Sequence, residues 1–275
     1  MAYVSPIGLI AYRFLIAYAG FEILRLTGII KIRLEKRKLV LLSLVALFQP
    51  ILYFMFETFG LNLTSSSEAG MMIAIIPIFV TIIGSLILKE KPTTVQIVFI
   101  SISVTGIILI QVFKAGGGLT GSTVGFVLLL MAVLSAAFFN IVSRKASSIS
   151  TPFEVTYVMM LAGAVAFNII YLIQLAFENR VGDYLSNLRH VELVLPLVYL
   201  GLVASIGGFF LVNYTLGKLP AHVSSIYSNL STIVAIGAGA LILHEQLQFY
   251  HYLGSALILI GVYGTIRFAR RKTIS

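Results

Sequence analysis

The sequence of 275 residues has no cysteine, a single aspartate (Asp183), and charged residues at only 11% of its positions. Without cysteine there is no disulfide framework, no thiolate nucleophile and no cysteine-ligated metal. The scarcity of charge is more restrictive. Average soluble domains carry about 25% charged residues, so this chain has too little polar surface to cover a globule of its size. Catalytic signatures are missing too: there are no paired aspartates, no His-Glu-x-x-His and no Gly-x-Ser-Gly with a matching histidine, which argues against an intramembrane hydrolase. No phosphate-cradling glycine loop occurs, so ATP coupling within the chain is not expected, and neither is a cofactor. His244 and His251 flank Glu245, yet interfacial histidines are far commoner than metal sites, and no metal is expected. A cleavable leader is not expected either, because the first apolar segment is too long and lacks both a basic lead and a small-residue cleavage site.

What is present is apolar sequence in long runs. Hydrophobic residues make up 59% of the chain and its mean hydropathy is +1.03. A helix needs about 20 residues to cross roughly 30 Å of hydrocarbon. Nine stretches qualify: Pro6–Ile30, Leu39–Leu61, Ser67–Leu88, Val95–Phe113, Ser122–Ser143, Pro152–Phe177, Leu193–Leu216, Ala221–Leu243 and Tyr250–Ala269. Turn chemistry separates them, at Asn62–Ser66, Lys91-Pro92-Thr93, Gly116–Gly118 and Leu219-Pro220, with the longer polar stretch Glu178–Glu192. The expected class is an all-α integral membrane protein.

The 19 lysines and arginines divide unevenly between alternate loops. Fifteen fall on one side, including Lys36–Lys38, Arg144, Lys145 and Arg270–Lys272; Lys114, Arg180 and Arg189 fall on the other, and Arg13 lies inside a span. Cytosolic loops hold such an excess, so the C-terminus is expected in the cytosol and Met1 outside. The net charge of +9 is thus a topology signal, with anionic lipid as a further contact, and nucleic acid is not an expected partner. The oligomeric state is not legible.

The chain also repeats itself. Leu86-Ile87-Leu88-Lys89-Glu90 corresponds to Leu241-Ile242-Leu243-His244-Glu245, and Gly106 to Gly261, at an offset of 155. Val4-Ser5-Pro6 opens the first span as Ser150-Thr151-Pro152 opens the sixth, at an offset of 146. By the charge assignment the copies run in opposite directions, the signature of an inverted repeat. Residues 1–114 form one copy with four spans and residues 115–275 the other with five, and the unmatched span is the counterpart of Ser122–Ser143.

These residues resemble the EamA-like branch of the drug/metabolite transporter superfamily, whose fold has ten spans arranged as five plus five. The resemblance covers essentially the whole chain. It rests on Ser5-Pro6 with Arg13, on Glu57, Thr64-Ser65-Ser66-Ser67-Glu68-Ala69, Pro77 and Lys89-Glu90-Lys91, and on Asn140, Ser143-Arg144-Lys145, Gly201, Ser205, Asn213-Tyr214 and His244-Glu245. It implies a nine-helix form of the ten-helix fold with the first helix absent. It further implies a prokaryotic cytoplasmic membrane and a small-molecule substrate held near the midplane.

Polar residues inside spans are costly and are the first candidates for such a site. Arg13 and Glu57 lie at comparable depths and are candidates to pair, the alternative being a structural tie or snorkelling of Arg13. Glu22, nine positions after Arg13, falls on the opposite face of its helix. Ser224, Tyr227, Ser228 and Ser231 recur at helical spacing, with Ser225, Asn229 and Thr232 beside them; they read as pathway lining, or as close helix packing by hydroxyl residues. Gln49, Tyr53, Asn140, Tyr157, Asn168, Asn213 and Tyr214 add hydrogen-bonding groups, while Gly201 with Ser205, and Gly237 with Gly239, permit close helix approach. Glu90 and Glu245 end repeat-related helices and read as structural anchors; Glu68, at the start of its span, reads as a helix cap.

The expected function is a secondary transporter that moves a small metabolite, such as an amino acid, out of the cell by alternating access. The alternatives are an intramembrane enzyme and a non-transporting membrane subunit.

Overall fold

A computed structural model describes residues 4–114, 121–189, 191–242 and 247–268. Among these residues there are no strands, and nine helices are long and apolar enough to cross a membrane: α1 (Pro6–Leu26), α2 (Lys36–Leu61), α3 (Ser66–Ile87), α4 (Thr94–Lys114), α5 (Thr123–Ala146), α6 (Pro152–Phe177), α7 (Val191–Lys218), α8 (Ala221–Ile242) and α9 (Phe249–Arg267). The expected spans and the helices agree in number and order, and their ends differ by no more than a turn or so. Helix starts follow local chemistry. Ser5 caps α1, its hydroxyl accepting from Gly8 N at 3.2 Å, and Pro6 stands at the first helical position, where its missing N–H costs nothing. Ser65 with Glu68, and Thr151 with Glu154, form reciprocal capping boxes at the starts of α3 and α6.

Two of the helices are interrupted. In α2, Gln49 leaves helical geometry (φ −149°, ψ 120°) before Pro50, across a cis peptide bond. In α7, Tyr199–Gly207 winds in widened turns, and Ser205 Oγ donates to the carbonyl of Leu200, five residues back, at 2.9 Å.

The helices belong to two compact units, each drawing on both halves of the sequence. The first comprises the chain through Phe54 together with Val142–Lys218, and the second comprises Met55–Ile141 and the chain from Leu219 onward. In the first unit α1 packs along α6. Phe14 stacks on Phe167 (5.8 Å, 13°) at Gly163, where a Cβ would lie 2.8 Å from the Phe14 ring. In the second unit α4 packs along α9 through glycines. A Cβ on Gly106 would stand 2.7 Å from the carbonyl oxygen of Gly254, and one on Gly261 only 2.5 Å from that of Phe99. In lipid, burying apolar area drives little helix association, so such close van der Waals contact, with interhelical hydrogen bonds, holds the pair.

Candidate functional site

Within the first unit, Arg13 is the basic residue nearest the middle of a span. Its neighbours come from three helices. Gly201 lets α7 approach α1, since a Cβ there would stand 3.0 Å from the Arg13 carbonyl oxygen. This approach places Ser205, in the widened stretch of α7, where its Oγ accepts from Arg13 Nε at 2.7 Å. The guanidinium carbon lies 5.7 Å from the centroid of the Phe14 ring and 5.3 Å from that of Phe54, which follows the break in α2. Arginine is suited to such a seat: its charge is delocalised and weakly hydrated, and it lies well over aromatic faces. Gln49 and Tyr53, both half-buried, flank the same break. The arrangement presents a fixed positive charge inside an apolar layer, and its chemical capacity is to hold an anionic group such as a carboxylate.

The remaining candidates of the first unit lie elsewhere. Asn213 is fully buried: its Oδ1 accepts from Ser143 Oγ at 2.7 Å and its Nδ2 donates to Thr156 Oγ1 at 3.0 Å, tying α5, α6 and α7 together. Tyr214 is exposed at the rim of α7, stacked on Phe210 beneath Lys218. Tyr157 donates its hydroxyl to Glu22 Oε2 at 3.2 Å, on the side of α1 that meets α6. Arg13 points to α7, so Glu22 and Arg13 occupy different faces of α1, as their nine-residue separation requires. Asn168 donates to the carbonyls of Ala11 (3.0 Å) and Ala164 (2.7 Å) and accepts from the Tyr184 hydroxyl at 2.6 Å. Tyr184 belongs to the short helix Asp183–Ser186 outside the spans. Burial pushes its phenol up, with Tyr171 beside it acting in the same direction, which keeps the donor protonated.

Glu57 belongs to the second unit and is half-buried. In that unit Asn140 bonds back to the carbonyl of Ala136 at 2.8 Å within α5, and Asn229 donates to Ser103 Oγ at 2.9 Å, joining α8 to α4. Ser224 is buried, whereas Tyr227 and Ser228 are exposed; Ser228 Oγ is engaged with the Ser225 carbonyl at 2.6 Å. Glu68 is fully buried, its Oε1 accepting from Gly121 N at 2.8 Å while Oε2 completes the capping box. Glu90 reaches the start of α8, where its Oε2 accepts from Ala221 N at 2.8 Å, a carboxylate at the positive end of a helix. Glu245 and His244 lie outside the described residues. Among the described residues no cluster of three or more His, Asp or Glu could hold a metal.

Sequence reasoning did not single out Phe14, Phe54 or the bond from Arg13 to Ser205. Ser205 carried a signal, a hydroxyl beside Gly201 in a span. The rings carried none, because apolar aromatics are everywhere in such helices.

The sequence pattern of the EamA-like transporter family matches residues 1–112 and again 123–267. The uncharacterized transporter YcxC of Bacillus subtilis (strain 168) is 38% identical over 269 residues, 98% of this chain and 86% of that protein. An uncharacterized transporter of Archaeoglobus fulgidus is 25% identical across 96% of this chain and 90% of its own length. A protein of Escherichia coli (strain K12) described as a "Probable amino-acid metabolite efflux pump" is 26% identical over 67% of this chain and 62% of its own length. A solved crystal structure shares the fold, with a TM-score of 0.78 at 16% identity, over 98% of this chain and 89% of that one.

Proposed function

This chain belongs to the EamA-like transporter family and is a multi-pass membrane transporter rather than an enzyme, and on that premise we propose that it exports a small carboxylate-bearing metabolite, of amino-acid type, across the cytoplasmic membrane. The carrying observation is the seat of Arg13. A permanently charged guanidinium inside a span, in contact with Ser205 and two phenylalanine rings beside interruptions in α2 and α7, joins two features that mark solute sites in transporters, an intramembrane charge and broken helices. The resemblance to the Escherichia coli efflux protein supports the substrate class and the outward direction. Arg13 takes the carboxylate, and Gln49 and Tyr53 are proposed as its neighbours in recognition. In the second unit, taken by itself, Glu57, Tyr227 and Ser228 are proposed as polar contacts for a solute.

The charge bias supports a cytosolic C-terminus, and the paired family matches support residues 1–114 and 115–275 as the two repeats that alternate access. The test is counterflow in proteoliposomes loaded with single amino acids, then with the matching amines that lack the carboxylate. Wild-type protein exchanges at least one amino acid and not its decarboxylated analogue, and Arg13→Ala exchanges that amino acid roughly ten- to hundredfold more slowly. Equal exchange of acid and amine, or full activity of Arg13→Ala, overturns the assignment.

A further inference from the structure

The second charged feature of α1 lies one face away from Arg13. Arg25 grips Glu22 with a two-pronged contact, Nε to Oε2 at 2.9 Å and Nη2 to Oε1, and the Tyr157 hydroxyl donates to the same Oε2. Tyr18 and Phe21 pack against the Tyr157 ring at 5.8 and 6.2 Å. Both charges remain accessible, with 40% of the Arg25 side chain and 25% of the Glu22 side chain exposed, and Arg25 Nη1 donates to no group among the described residues.

Position and repeat symmetry say what kind of ligand would use them. The offset of 146 pairs Glu22 with Asn168, Arg25 with Tyr171 and Ala11 with Tyr157. The contact of Tyr157 with Glu22 is therefore the counterpart of the contact of Asn168 with Ala11. At the Asn168 end the chain closes the position itself, because Tyr184 bonds Asn168 and packs between Tyr12 and Tyr171, 5.2 and 5.8 Å away. At the Glu22 end no such side chain arrives among the described residues. Arg25 is the next-to-last residue of α1, and Glu22 lies about 6 Å from that end at ~1.5 Å per residue, so that both long side chains can reach toward the interface at that end. Leu15, Ala19, Ile23 and Leu26 form the exposed apolar stripe of α1, and Glu22, three residues after Ala19 and four before Leu26, borders it.

We propose that Glu22, Arg25 and Tyr157 bind the headgroup of a phospholipid that carries a primary ammonium, of the phosphatidylethanolamine type. The ammonium donates to Glu22 and lies beside the Tyr18 and Tyr157 rings, while the phosphate accepts from Arg25, and the acyl chains follow the apolar stripe. A free amino acid has the same pairing of ammonium and acid; the open apolar stripe favours the lipid. The site lies on the other side of α1 from Arg13 and stands independently of the proposed substrate.

Native mass spectrometry of the purified full chain, with phosphatidylethanolamine, phosphatidylcholine and phosphatidylglycerol of matched acyl chains, tests the assignment. Wild-type protein retains the ethanolamine lipid in preference to the other two. Glu22→Gln and Arg25→Gln each lower that retention about tenfold, to the level of the choline lipid, and Tyr157→Phe, which keeps the ring and its packing, lowers it about threefold. Equal retention of all three lipids by the wild type, or unchanged preference in all three variants, overturns the proposal. Displacement of the bound ethanolamine lipid by millimolar glycine also overturns it, by assigning the site to a soluble zwitterion.

Discussion

Helices α4 and α9 meet backbone against backbone, whereas α1 and α6 meet through aromatic and polar side chains. Both pairs are related by the internal repeat, so the contrast is between two descendants of one arrangement. In the α4–α9 pair the symmetry is intact. The offset of 155 carries Gly106 onto Gly261 and Phe99 onto Gly254, and it carries the close approach of Gly106 to Gly254 onto that of Gly261 to Phe99. In the α1–α6 pair the positions correspond but the chemistry has parted: glutamate against asparagine, arginine against tyrosine. A backbone contact this close tolerates only glycine at the position that approaches the carbonyl, so both copies keep it at Gly106 and Gly261, while the carbonyl is supplied by Gly254 in one and by Phe99 in the other. A contact built from side chains can be rebuilt one copy at a time, and there the copies have taken on different tasks.

The contrast can be broken most severely at the glycines. Gly261→Val drives a side chain into the Phe99 carbonyl and should destabilise the second unit by ~1–3 kcal/mol or more, seen as a loss of monodisperse protein or a large fall in melting temperature. Gly237→Ala, where a Cβ meets nothing within 4 Å, should leave melting unchanged. Next in size is Arg13→Ala, which should lower exchange in proteoliposomes roughly ten- to hundredfold. Ser205→Ala should lower it less, because the rings still hold the guanidinium. Asn168→Ala removes the partner of the Tyr184 hydroxyl and should cost ~1–3 kcal/mol of thermal stability, with Tyr184→Phe costing only ~1 kcal/mol because the donor goes with the bond. The smallest effect sharpens the comparison. Glu22→Asn restores at one end the residue type found at the other, and melting in detergent should not move, since the Glu22–Arg25 pair is open to its surroundings.

Much of this could be read from residues. The helices follow from apolar runs of membrane length, and their starts from Ser5-Pro6, Ser65 with Glu68 and Thr151-Pro152, because those signals act over a few neighbouring positions. The break in α2 at Gln49-Pro50 was not read from the sequence, where Leu39–Leu61 stood as one span, although a proline inside a helix is the usual marker of one. The widened turns of α7 were less plainly marked: Pro196 lies just ahead of Tyr199–Gly207 and Gly201 within it, but the stretch itself holds no proline. At the site, the cost of a charge in lipid exposed Arg13, but its neighbours Ser205 and Phe54 come from positions far along the chain. Asn213 and Tyr157 illustrate the same limit. Their chemistry was visible, while what they bond, Ser143 and Thr156 for one and Glu22 for the other, depends on which faces of which helices meet.

The bond between Arg13 and Ser205 spans 192 positions of sequence, and that separation bears on how the protein is made. A ribosome adds about 5–20 residues per second, so α1 waits roughly 10–40 s between leaving the ribosome and the synthesis of its hydroxyl partner. Through that interval its arginine, which costs about 2.5–3.5 kcal/mol at the centre of an inserting helix, needs shelter from the insertion machinery, from water or from bent-in headgroups. The first unit is thereby left open until α7 arrives, and mutations that slow α7 will be felt as loss of a helix made long before it.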